Sequence, residues 1–560
     1  MLCRRYMPGR VITTGKARSF MSALLGMIRR RFVVLAVAVV ALNFISCRES
    51  SVSKVGTPEL RDNLVDTILA RTEQRESFST IKNEKLRFEP LEAMASLRET
   101  VVSASTEDKL YYALVQLSNA RRDRHLDISL VPGGLRPADV TGLAVWGDES
   151  STPLQSPVRV FPDYTSNSAG YFVGDIAAGK AWPELPKIGD RVVSVNGRSV
   201  EQWYEATMPI MRHSTQIGLR WKLAEAMTQA TAVFPPELRE ATLQLTVESK
   251  DGSKPSFTLP YVNTKDLTWT GSGDPQYPGL SLGLRTPTYD LFLSDDSSRF
   301  IVLVWYGFRE TMVTDVDTLI ELAERDGLLD YAVVVDVTRS GGGSLGAYAL
   351  QRLQSRPFKT TFGNLRLSDV IEPFVEAKRS DFSANNINDN GAPETIDDGT
   401  WLMEWLEEDV LPAFAHGDEY SNDVPFKLAH APKDSDGVLE PAPVHFRGPF
   451  GVISGPNGGS HLDQFISIVV DNGLGPVVGM APGGYSNTWE WEEVLTFADT
   501  DQPVVGFMYS IGHTIRPNGE VLEGNPAAVD EWIPLTAENV KEYYSILLEQ
   551  VRIQMGMVEN

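Results

Sequence analysis

A chain of α+β and α/β domains follows from three shifts in hydrophobic pattern along the 560 residues. From about 58 to 120 apolar residues recur at helical spacing. From about 135 to 265 they alternate in short strands between turns, and beyond 266 near-continuous apolar runs alternate with amphipathic helices. The length allows several domains and a large core, and a hydrophobic fraction of 42% with 22% charged residues is that of a soluble globular protein.

The N-terminus departs from that average. Residues 1–46 hold eight of the 51 Lys and Arg and no Asp or Glu, and they end in Arg29-Arg30-Arg31, the apolar run FVVLAVAVVALNFIS and Cys47. A basic stretch, an apolar stretch of about fifteen residues and a small residue before a cysteine predict a secretion signal. The run is short for a bilayer, which takes about 20 residues. Cys47 resembles the lipid-modified cysteine of bacterial lipoproteins, although Phe44 stands where Leu is usual. The expectation is an exported lipoprotein of the outer membrane or periplasm, its first mature residue Cys47, with an uncleaved anchor as the alternative. Cys3 and Cys47 are the only cysteines, so the exported part would fold without an internal disulfide. That part carries 43 basic against 74 acidic residues, a net charge of −31. Nucleic acid as a partner is excluded, since it requires a basic footprint.

Each element then has its own justification. Residues 48–57 form a polar tether, and 48–130 a helical region in which Leu110, Ala113, Leu114 and Leu117 share a face. This helix runs into Asp123-Arg124-His125 and the alternating LDISLV. Residues 131–265 form a small β unit. Its landmark, KIGDRVVSVNG (187–197), joins a Gly-Asp turn to a strand and an Asn196-Gly197 hairpin turn. GDxVxxVNGxxV resembles a stretch of PDZ domains, which take a peptide's C-terminus as an added strand. An ordinary hairpin is the alternative, and residues 203–240 add a helical insert that a minimal PDZ domain lacks. Residues 266–560 form an α/β domain with RFIVLVWYG and YAVVVDV as buried strands. The polar stretch 380–445 is expected as a surface excursion, partly helical at TWLMEWLEEDVLPAF.

Three loops carry the chemistry. The first, Asp336 to Ser344, holds Gly341-Gly342-Gly343 after a strand, so its backbone N–H groups can approach a ligand. No Gly-Lys-Ser/Thr follows, which argues against a phosphate loop. The second, Gly458-Gly459-Ser460-His461-Leu462-Asp463, leads from FGVIS into a helix. A serine there meets the positive end of the helix dipole, which suits a nucleophile beside an oxyanion. It equally suits a helix cap, with Ser460 and Asp463 as a capping pair. The third is Gly519-Glu520-Val521-Leu522-Glu523-Gly524.

The order and spacing of these loops resemble the tail-specific (C-terminal processing) protease family, over nearly all of residues 80–545. That resemblance implies a catalytic domain of the crotonase-like ββαβ type and no cofactor. Many members pair the serine with a lysine about 25 residues on. Here no lysine lies between Lys433 and Lys541, and Tyr485 stands near the expected place. The pattern is therefore similar to the tricorn-core-like branch and relatives of the chlamydial secreted protease, whose histidine comes from the helical region. The resemblance implies Ser460 as nucleophile, His125 as general base and Glu523 as the carboxylate orienting it. The N–H groups of Gly342, Gly343 and His461 would form the oxyanion hole. It also implies polypeptide substrates, and leaves open zymogen processing and a homodimer.

Two other readings remain. Gly342-Gly343-Ser344-Leu345-Gly346 fits GxSxG, so an esterase could use Ser344 with His513, although eight residues separate Asp336 from Ser344 where an elbow needs a tight turn. A catalytically inactive homologue binding a peptide or lipid is the other. Among the seven histidines His461, adjacent to Ser460, is the rival base. No HExxH and no paired cysteines mark a metal site.

Overall fold

Two strand-rich layers and a helical cap are built from long-range pairings, so the site is assembled from segments far apart in sequence. The computed structural model describes residues 53–137, 154–165, 169–179, 182, 184–294, 298–309, 311–383, 400–425, 431–486, 489–498 and 500–558. The signal segment and Cys47 lie outside the described residues. Among the described residues no helix is long and apolar enough to cross a membrane.

The central sheet has seven strands in chain order: β1 (Leu280–Arg285), β2 (Tyr289–Ser294), β3 (Phe300–Trp305), β4 (Ala332–Asp336), β5 (Phe450–Ser454), β6 (Val477–Gly479) and β7 (Glu531–Trp532). The first three pair antiparallel, and β3 to β7 pair parallel. The apolar runs of β3, β4 and β5 are buried throughout because both faces are covered. Ile301, Leu303, Val333, Val335 and Val452 face helices Met312–Asp326, Gly346–Leu353 and His461–Asp471. Val302, Val304, Val334 and Ile453 face the C-terminal helix Tyr543–Gln554 through Tyr544 and Leu547. In such sheets ligands sit beyond the carboxyl ends of the parallel strands. Loops 337–344 and 455–460 leave from those ends.

The β unit between residues 158 and 269 is an antiparallel sheet containing Val158–Pro162, Tyr171–Ala178, Arg191–Val195, Thr242–Glu248 and Ser256–Pro260. The expected hairpin is present: Ser194 pairs with Ser199 across Asn196 (φ +50°) and Gly197 (φ +77°), the two positive φ values of a type I′ turn. The insert after it includes helix Gln216–Met227, in which nine of twelve residues are buried, so it is a wedge rather than an appendage. Its capping residue Thr215 accepts from Gly218 N–H and donates from the same hydroxyl to Gly483 O at 2.8 Å.

The excursion at 380–445 is corrected. Residues 384–399 and 426–430 lie outside the described residues, but the flanking helices are core. Phe374, Leu402, Trp405, Leu406 and Val410 are buried in one apolar cluster with Leu64, Val65 and Ile68 of helix Pro58–Arg75 and Leu114 of helix Glu107–Asn119. The polar flanks at 384–399 masked an apolar stripe, Leu402-Trp405-Leu406, that has helical spacing. Arg75 fastens the two parts with a bidentate pair to Asp369, at 2.8 and 2.7 Å.

Trp405→Ala should therefore lower the unfolding free energy by about 3–5 kcal/mol, as for a large core truncation. A urea titration checks it; a residue on a surface loop would change it by under about 0.5 kcal/mol.

Candidate active site

Ser460 stands at the junction of the loop from β5 and the helix His461–Asp471, with φ +61° and ψ −123°. This lies outside the regions open to most residues, and such backbone costs on the order of 1–3 kcal/mol. Its hydroxyl makes no capping hydrogen bond, so the cap reading fails. Asp463 is engaged chiefly by the 484–485 backbone. Its fully buried carboxylate accepts from the N–H groups of Gly484 and Tyr485, each at 3.1 Å. Burial drives the Asp463 carboxyl well above the usual range; those hydrogen bonds oppose the rise and Glu523 adds to it.

Close approach of three loops surrounds the serine. A Cβ on Gly342 would lie 2.8 Å from Ser460 Cβ and 3.3 Å from Oγ, so only glycine brings the 341–343 backbone this near. Phe308 N–H donates to Gly342 O and Ser344 N–H to Phe308 O, while the Gly342 and Gly343 N–H groups donate to no acceptor among the described residues. A Cβ on Gly459 would lie 2.1 Å from the Tyr485 ring. Ser460 N–H donates to Tyr485 O at 2.5 Å, which ties the strained residue to the loop following β6.

His125 reaches the same place from the helical region. After helix Glu107–Asn119 the chain turns at Arg122 (φ +53°), and Asp123 Oδ1 accepts from His125 N–H at 2.9 Å. Strand Ile128–Ser129 then pairs with Phe507 and Gly506 and fixes the segment. The imidazole lies edge-on to Tyr485, ring centroids 5.2 Å apart. Its Nδ1 is buried without a hydrogen-bond partner. Burial lowers the His125 pKa to about 4; Asp123 opposes this and Arg124 reinforces it.

Glu523 completes a cluster. A donor atom each of Asp123, His125 and Glu523 lie within 4.8 Å of one another. Glu523 is wholly buried, Oε2 accepting from Ser486 N–H at 2.8 Å and Oε1 having no hydrogen-bond partner. Burial raises its carboxyl to about 7; Asp123 adds to the rise and Lys82 opposes it. Lys82 Nζ stands 3.5 Å from Oε1.

The structure thus brings His125 next to Glu523, and Ser460 next to Gly342. Tyr485 touches both groups, but Ser460 Oγ and His125 share no hydrogen bond. Sequence reasoning missed Tyr485 as the bridge, Asp123 as a second carboxylate and Lys82. His461, the rival base, points elsewhere: its Nε2 accepts from Gly346 N–H at 2.6 Å and its ring meets Phe308. Its backbone N–H occupies the first helical position, next to the serine. Ser344 Oγ is buried without a partner, whereas His513 stacks on Tyr420 and its Nε2 contacts Phe78 O, so the esterase pair is not formed.

Asp463→Ala should leave two buried N–H groups unpaired, at about 1–3 kcal/mol each. Hydrogen exchange of residues 483–486 should accelerate by tenfold or more, read by mass spectrometry.

No protein-family model matches the chain, and no curated protein matches it. Solved structures do. Mature CPAF matches with a TM-score of 0.64 over 90% of this chain and 99% of its own, at 14% identity. Mature CPAF complexed with lactacystin matches with a TM-score of 0.63 over 88% and 98%, at 13% identity. The photosystem II D1 C-terminal processing protease gives 0.40 over 87% and 97%, at 11% identity. Over nearly its whole described length the chain has the fold of mature CPAF.

Proposed function

We propose that this protein is a serine endopeptidase that cleaves polypeptides through an acyl-enzyme, with Ser460, His125 and Glu523 as its triad. The observation that carries the reading is the setting of Ser460: a strained serine at the start of a helix, against Gly342 and Gly343, whose N–H groups have no acceptor among the described residues. Strain of this kind persists only where surrounding structure holds it, and it concentrates at functional positions.

In the reaction Ser460 Oγ attacks the scissile carbonyl carbon while His125 takes the hydroxyl proton. The oxyanion meets the Gly342 and Gly343 N–H groups, with His461 N–H at the helix start. Collapse expels the amine with the proton from His125, and water then enters by the same route to release the acid. Glu523 stabilises the imidazolium. Substrate draws His125 onto Ser460, in keeping with catalytic hydrogen bonds that are long in free enzymes and tighten on binding. The fold shared with mature CPAF supports the reading.

The proposal extends to the rest of the chain. The β unit with its Asn196-Gly197 hairpin acts as a PDZ-like module for substrate ends, and the 266–560 domain is of the crotonase-like type. Residues 1–46 direct export, and Cys47 carries the lipid that holds the enzyme at the membrane.

Full-length protein should react with a fluorophosphonate probe. Ser460→Ala abolishes labelling and Ser344→Ala leaves it intact; label lost only in Ser344→Ala would establish an esterase, and no label on folded wild type would leave a binding protein. His125→Ala and Glu523→Gln should slow labelling by at least a hundredfold and tenfold respectively. Gly342→Ala, which forces a methyl onto Ser460, should slow it by at least tenfold. With the His125 pKa near 4 and Glu523 near 7, the imidazole is neutral throughout, and the rate should rise with pH as Glu523 ionises near 7.

A further inference from the structure

The Asp123–His125–Glu523 cluster has the donor set of a metal site, yet a protein cation already stands beside it. Lys82 lies in the short helix Thr80–Leu86, in a segment, TIKNEKL, whose composition predicts a surface position. It is instead buried, 4% exposed. Its Nζ is 3.5 Å from Glu523 Oε1 and donates to Arg122 O at 3.2 Å, three residues before His125. The capping residue Ser79 accepts from Lys82 N–H and donates to Glu523 O at 2.8 Å. The aliphatic stem is seated on Gly524, where a Cβ would lie 2.4 Å from it. One turn of helix therefore grips Glu523 by main chain and side chain, and grips the segment bearing His125 by a carbonyl.

We infer that Lys82 is a positioning residue: its ammonium pairs with the Glu523 carboxylate and fixes it toward His125. The inference rests on the proteolytic reading for its part in a reaction, but the ion pair can be tested without one.

Electrostatics explains the need for a buried lysine. Glu523 faces Asp123, which repels its charge, His125, which is neutral, and Asp463, whose carboxyl Glu523 helps to raise. Lys82 is the cation that offsets Asp123, aided by the Ser214 hydroxyl and Ser486 N–H. The same ammonium helps hold His213 and His513 neutral, as do Arg122 and Arg124 for His213 and Arg366 for His513. Without it the Glu523 carboxyl would hold its proton to higher pH. A protonated carboxyl cannot stabilise an imidazolium.

The test uses full-length protein and fluorophosphonate labelling rates between pH 5 and 10. Lys82→Met should move the midpoint of the rise at least one pH unit alkaline and cut the rate at pH 7 at least fivefold. Its alkaline plateau should stay within threefold of wild type, and Lys82→Arg should restore the profile. A uniform loss at every pH, or an unshifted midpoint, overturns the inference in favour of a structural role. Lys82→Gln serves the same purpose if Lys82→Met does not fold. Independently, ¹³C-histidine NMR of Ser460→Ala protein follows His125, assigned by its loss in His125→Ala. Its signal should sense Glu523 ionising near pH 7, and Lys82→Met should shift that inflection alkaline. An unmoved inflection overturns the ion pair's role; a moved one in a protein that never reacts with the probe retains the pair and removes the protease.

Discussion

The backbone of four residues, Gly483 to Ser486, holds the candidate site together. Gly483 N–H donates to Gly458 O, and Gly483 O accepts from Thr215. Gly484 and Tyr485 donate to Asp463, Gly484 O accepts from Gly524 N–H, and Tyr485 O accepts from Ser460. Ser486 N–H reaches Glu523. The serine helix, the wedge helix and the C-terminal acid therefore meet on one strip of peptide groups. Buried backbone groups must find partners, and here that requirement itself positions the chemistry.

Burial of charge is the second constraint. Asp123 stands near Glu76, Glu490 and Glu523, each of which burial, with Asp123 adding to it, raises to about 7. Arg121 answers Glu76 at 3.0 Å, and Lys82 answers Glu523. Removing one partner of such a pair strands the other, which costs more than the intact pair contributes. The helical region is thus tied to the layer that carries Glu523 by charge as well as by its apolar core.

Much of this was legible in the sequence. The continuous apolar runs FIVLVW and AVVVD marked doubly covered strands, Asn196-Gly197 marked a hairpin, and the order of the glycine loops led to the fold seen in mature CPAF. His125 was singled out by the resemblance and by its place at the helix-to-strand junction, and it lies beside Glu523. Other features were hidden for physical reasons. Lys82 sits among polar residues and is buried only because Glu523, 441 positions away, takes its charge. Tyr485 gave no signal beyond standing where a lysine was expected; its role comes from its carbonyl and ring face. The 400–410 segment is helical as its pattern predicts, but its burial was missed because composition outweighed a spacing that was there to be counted.

The contacts of the first helices have a consequence for biosynthesis. Arg75 waits for Asp369, Ser77 for Ser510, and Arg121, whose partner Glu76 precedes it, for the carbonyl of Met508. Ribosomes add about 5–20 residues per second, so tens of seconds separate the making of the N-terminal helices from the arrival of the strands that bury them. The proposed base, nucleophile and acid arrive in that order at 125, 460 and 523. No nascent chain short of Glu523 can contain all three, so the growing polypeptide carries no complete cutting centre while it is still exposed beside the ribosome.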